Sequence, residues 1–180
     1  MDKRLRFAAW AAVVNAIIII PTFIIGFIAA ITDNKALMIN ATIISSVVFL
    51  VTGLLVLYGF YILSNKIKSK FLRVMTYITF GVLIAITVIN IVSQFFEPQA
   101  WMVVNVILLV IVALTSIFFG IAVLHLKKIA NGLATALGVM YIIEGGFILT
   151  ILLVVLVPLT SLATSILEAI LFFKLLKKKK

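Results

Sequence analysis

Two acidic side chains, Glu144 and Glu168, lie well inside apolar stretches, and they are the residues whose type and placement point to chemistry. A carboxylate deep in hydrocarbon costs at least about 2.5 kcal/mol on insertion scales, so it calls for a partner, a proton or a cation. Pro158 stands between them in sequence. If it marks a turn, the two acids lie roughly 21 and 15 Å down antiparallel neighbours at 1.5 Å per residue, about one helical turn apart in depth. A facing pair is placed to share a proton or hold a cation, because two carboxylates that close do not both stay ionised cheaply. Gly145-Gly146 follows Glu144 directly, where paired glycines let a helix bend or unwind beside the acid. The plainer alternative is structural: a protonated Glu bonded to a Thr, a Ser or a backbone carbonyl. Glu168 has Lys174 as a further candidate partner near the cytoplasmic boundary.

Other polar residues suggest architecture rather than chemistry. Asn90 and Asn105 flank the Glu97-Pro98 turn almost symmetrically, which makes them a candidate interhelical polar pair fastening one hairpin. Pro21 is expected to kink the first helix, with Asn15 six residues before it. His125 abuts Lys127 and reads as interfacial, while Tyr58, Tyr61, Tyr77 and Trp101 suit the aromatic belts at span ends. The chain holds no cysteine and one histidine, so it lacks the residues for disulfides, iron–sulfur clusters, bis-His haem or multi-His metal sites. No catalytic motif is present: there is no Ser/His/Asp set, phosphate-cradling Gly loop or acidic cluster fit for Mg²⁺. The expectation is a protein that is not an enzyme and needs no cofactor.

The elements that must position the two acids follow from composition. Hydrophobic residues make up 66% of the chain and charged ones only 11%, with a mean hydropathy of +1.40. A soluble domain cannot hide that much apolar surface, so the class is an all-α polytopic integral membrane protein. Every Lys and Arg except Lys35 falls in one of four clusters: Lys3 to Arg6, Lys66 to Arg73, Lys127-Lys128, and Lys174 to Lys180. Cytoplasmic flanks retain Lys and Arg, so clusters at every second gap mean that the chain crosses and returns each time. The net charge of +10 lies in these flanks. Its partner is the anionic headgroup layer at the cytoplasmic face, not nucleic acid.

The apolar stretches predict helices over about 7–31, 37–63, 71–95, 100–126, 131–157 and 159–176. The last two come from one stretch without Lys or Arg. It is too long for one crossing, so it is split at Pro158. Length and charge parity agree on six transmembrane helices in three hairpins, with both termini cytoplasmic, in a single membrane domain. Weak similarities, such as Gly59 before Lys66 and Gly120 before Lys127, suggest hairpin repeats over 1–66, 67–128 and 129–180. Small-xxx-small pairs (Ala8/Ala12, Gly26/Ala30, Gly81/Ala85, Ser116/Gly120, Ala134/Gly138) are expected to let backbones approach within the bundle. Localisation follows as the plasma membrane in a prokaryote. An early secretory membrane is the alternative in a eukaryote, where Lys177 to Lys180 resembles a dilysine retrieval signal.

Short connections leave no room for a soluble domain, so function falls to the bundle interior, the turns or the lipid-facing surface. The first expectation is a non-enzymatic structural or accessory subunit, with other membrane subunits as partners. The alternative is a small proton- or cation-linked transporter or channel built on Glu144, with Glu168.

Overall fold

The computed structural model describes residues 3–32, 34–96, 98–150 and 153–177. Asp33, Glu97 and Lys178 to Lys180, on which the turn and charge readings partly depend, lie outside that set. The described residues are almost entirely helical: α1 (Lys3–Ile31), α2 (Lys35–Lys66), α3 (Lys70–Ser93), α4 (Pro98–Val123), α5 (Lys127–Leu149) and α6 (Val157–Lys177). Short 3₁₀ turns at Leu124–Leu126 and Val154–Leu156 precede α5 and α6. Five helical segments are long and apolar enough to cross a membrane, which is compatible with a multi-pass membrane protein. The fourth of them, Trp101–Leu149, is 49 residues long because α4, the 3₁₀ turn and α5 are contiguous.

That long segment folds back on itself. Ala130 leaves helical geometry, at φ −148° and ψ 59°, and α4 and α5 then pack antiparallel. Glycine sets their separation. A Cβ on Gly120 would sit 2.6 Å from the Gly138 carbonyl oxygen, and one on Gly145 would sit 2.6 Å from that of Ala113. Ser116 Oγ donates to the Tyr141 carbonyl at 2.9 Å across the same seam. Within lipid no hydrophobic effect drives helices together, so close backbone approach and interhelical hydrogen bonds must do so. Gly120→Ala is therefore expected to destabilise the bundle by about 1–3 kcal/mol, the range for overpacking. Gly26→Ala and Gly81→Ala should be neutral, since nothing lies within 4 Å of a Cβ at either position. Thermal denaturation in detergent compares the three.

Caps and turns follow local chemistry. The Asn34 side chain accepts from the Leu37 N–H at 3.0 Å, and Ser69 Oγ accepts from the Leu72 N–H at 3.3 Å, starting α2 and α3. Lys68, at φ 55°, ends α2 in the left-handed conformation, and the Ser69 N–H closes the turn on the Ser64 carbonyl at 3.0 Å. The break between the last two helices comes earlier than the sequence suggests. Helix α5 stops at Leu149, and Pro158 stands in the first turn of α6, where its missing N–H forfeits no helical bond.

The six helices close into a ring. Each packs against its neighbours in sequence, and α6 packs against α1. The buried core occupies the end of the ring that carries the basic residues: Leu5 to Ala12 of α1, Val56 to Leu63 of α2, Leu72 and Met75 of α3, Phe119 to Val123 of α4, and Leu126 of the 3₁₀ turn after it. Helices α5 and α6 contribute Ala130 to Leu137 and Ala169 to Leu176. A Cβ on Gly59 would lie 2.5 Å from that of Ala8 and 2.9 Å from the Phe172 ring, so α1, α2 and α6 meet there. Large apolar side chains on the outer faces, among them Ile17, Phe27, Val103 and Leu159, are exposed, as a lipid-facing surface requires.

Candidate functional site

The interior of the ring, beyond the packed basic end, is a cavity of about 570 Å³ to which all six helices contribute. One face of α6 supplies Ser161, Thr164, Ser165 and Glu168, at the three- and four-residue spacing that stacks side chains on a single face. Helix α5 supplies Tyr141 and Glu144, likewise one turn apart. Phe49 and Gly53 of α2, Leu83 of α3 and Phe119 of α4 make much of the remaining wall. The lining reaches Val157 and Pro158 at the start of α6, so the cavity extends to the end opposite the basic clusters.

Both sequence-singled acids are in this cavity, held by a reciprocal arrangement. Ser161 Oγ of α6 donates to Glu144 Oε1 of α5, and the Tyr141 hydroxyl of α5 donates to Glu168 Oε1 of α6. Each helix thus gives one carboxyl and one hydroxyl, and the two bonds cross the seam in opposite senses. Glu168 is buried, at 3% exposure, whereas Glu144 is partly open to the cavity. Lys174 is exposed and does not reach Glu168; Tyr141 is the partner instead. Among the described residues that line it, the cavity has two acids and no Lys, Arg or His.

The other polar groups sort into satisfied and unsatisfied. Asn15 also lines the cavity, and its side chain accepts from Thr52 Oγ1, tying α1 to α2. Most interior hydroxyls return to their own helix: Thr76, Thr79 and Thr87 donate to carbonyls four residues back at 2.7–2.9 Å. Thr164 differs. Its Oγ1 is buried without a hydrogen-bond partner, although the residue lines the cavity one turn from Glu168. Asn90 and Asn105 are exposed on α3 and α4, and no hydrogen bond joins them. The sequence did not single out Tyr141, Ser161 or Thr164. Their signal was available in their position, since Tyr141 lies one turn before Glu144, and Ser161 and Thr164 lie on the Glu168 face of α6.

Aromatic rings form the floor between the cavity and the basic end. The Tyr141 ring lies edge-on to Phe119, with centroids 5.0 Å apart. Phe119 meets Phe60 and Phe60 meets Phe172, each at 5.2 Å. All three phenylalanines are essentially fully buried. Phe172 is one turn beyond Glu168 on α6, which closes the circuit from the carboxyl through four rings back to its own helix. No protein-family model, curated protein or solved structure matches this chain.

Proposed function

We propose that the protein is a small proton- or cation-linked membrane transporter whose binding site is the Glu144–Glu168 cavity. The carrying observation is the pair of interior carboxyls with no basic residue among the described residues lining the same space. Their charge must be compensated by a proton or by a cation that enters, because uncompensated carboxylates in hydrocarbon are too costly and Glu is too short to snorkel out. The aromatic floor acts as the closed inner gate, and the Tyr141–Glu168 bond links occupancy of the site to that floor. In this reading the chain makes six crossings as three hairpins with both termini cytoplasmic, and the crossed acids stand between the fifth and sixth. The accessory-subunit reading draws support from the short connections and the small-residue seams. It gives the open, acid-lined interior no role.

Reconstitution into liposomes tests the proposal. Glu144→Gln keeps the size and most of the hydrogen bonding of the acid, so proton or cation flux should fall at least tenfold with the fold intact. Unchanged flux, or no flux in the unmodified protein, would remove the transport reading. Purification with stoichiometric partner chains would favour the accessory one.

Topology has its own check. Single cysteines at Asn34 and Val155 should react with an impermeant thiol reagent from outside intact cells, while one at Ser69 should not, as the basic clusters require. Labelling of Ser69 from outside would overturn the six-crossing assignment.

A further inference from the structure

The geometry points to a lipophilic amine in its protonated form as the ligand of this cavity, its ammonium N–H groups shared between Glu168, Glu144 and Thr164 Oγ1. The substrate class rests on the reading of the cavity as a cation site and narrows it. Size is the first reason. A volume of about 570 Å³ is far larger than a bare ion needs, and it matches in size the clefts that take a drug-sized organic molecule. Among the described residues no cluster of three or more acidic, His or Cys side chains exists to wrap a metal ion.

Wall chemistry is the second reason. Phe49, Leu83, Val56 and Leu57 offer an apolar surface, and Tyr141 places its ring beside Glu168 with Phe119 edge-on to it. A cation bound there gains from the ring quadrupoles as well as from the carboxylates. The third reason is Thr164. Its hydroxyl is buried and unpaired one turn from Glu168, a condition that ordinarily costs stability unless a ligand completes it. An ammonium N–H completes it; a quaternary ammonium, which has no N–H, does not.

The full-length chain purified in detergent, titrated with the primary amine 4,4-diphenylbutylamine by calorimetry, tests this. The amine should bind saturably. Its neutral amide counterpart should bind at least tenfold more weakly, and so should its N,N,N-trimethyl quaternary salt. Thr164→Val, which keeps the shape of the side chain, should weaken the amine about fivefold and leave the quaternary salt unchanged. Equal binding of amine and amide, or of amine and quaternary salt, overturns the proposal without any variant having to fold. Displacement by phosphatidylethanolamine in place of any binding of the free amine would assign the ammonium to a lipid headgroup and also overturn it. Flux that depends on Glu144 in the absence of amine binding sinks the substrate class and leaves the transport reading standing. Amine binding without any flux sinks the transport reading and leaves the binding site.

Discussion

Phe60→Ala is expected to open the basic end of the bundle, giving liposomes that leak protons or small cations and a protein of markedly lower thermal stability. Phe60 is fully buried and meets two other rings, Phe119 and Phe172, each with centroids 5.2 Å away. Truncating a buried Phe to Ala costs about 3–5 kcal/mol, part of it for the void left behind. Here the void would not be closed off. Phe119, which loses one of its two ring partners, also lines the central cavity, so removing the Phe60 ring joins that cavity to the inner layer. Phe60→Leu refills most of the volume and should restore the seal while losing only the edge-to-face contribution of about 0.5–1.5 kcal/mol per ring pair. Liposomes bearing Phe60→Ala that stay as tight as those bearing the unmodified protein would show that the aromatic layer is packing and not a gate.

The sequence could be read for helices and not for the order in which they pack. Basic clusters and apolar lengths account for the long apolar helices, because the cost of burying charge and the thickness of hydrocarbon act on every residue of a span. Two boundaries shift for local reasons. Pro158 was expected to mark the break, but proline is as comfortable in the first turn of a helix as beyond its end. Contiguous helical geometry runs α4 into α5, and only the backbone of Ala130 reveals the reversal. The ring itself was not legible. Most of the helices are apolar on nearly all sides, so apart from the Ser/Thr/Glu face of α6 no amphipathic stripe indicates which face turns inward.

The two interior acids were legible because ionisable residues are so rare in the spans. Their partners were less conspicuous, because a Ser or Tyr in a membrane helix is common and only its spacing from the acid sets it apart. The Asn90 and Asn105 symmetry shows the limit of counting from a turn. Equal distance fixes equal depth and says nothing about rotation, and both side chains lie on exposed faces.

Breaking the Tyr141–Glu168 bond should separate a structural carboxyl from one that carries charge, and the largest effect is expected for Glu168→Ala. That substitution empties a buried site and leaves the Tyr141 hydroxyl without its acceptor, a loss of about 1–3 kcal/mol for the orphaned donor before any cavity cost. Tyr141→Phe removes the donor and keeps the ring against Phe119, so it should be milder. Glu168→Gln keeps an oxygen acceptor in the same place and should be milder still. The informative quantity is the coupling in a double-mutant cycle between Tyr141→Phe and Glu168→Gln, measured by denaturation in lipid micelles. Neutral hydrogen bonds between membrane helices average about 0.6 kcal/mol and reach about 1.7. Bonds to an ionised group run to about 1.5–3 kcal/mol. Because Gln stands in for the neutral acid, the cycle cancels the neutral part of the bond and retains what the charge adds. A coupling near 1 kcal/mol or above therefore marks Glu168 as an ionised acceptor, ready to receive a cation. A coupling near zero marks a protonated one, poised to release its proton as a cation arrives. The two cases must also differ in acid: lowering the pH below the carboxylate range should abolish a large coupling and leave a small one where it was. A Glu168→Ala variant as stable as the unmodified protein would show that the hydroxyl and the carboxyl do not meet, and the crossed arrangement of α5 and α6 would fall with it.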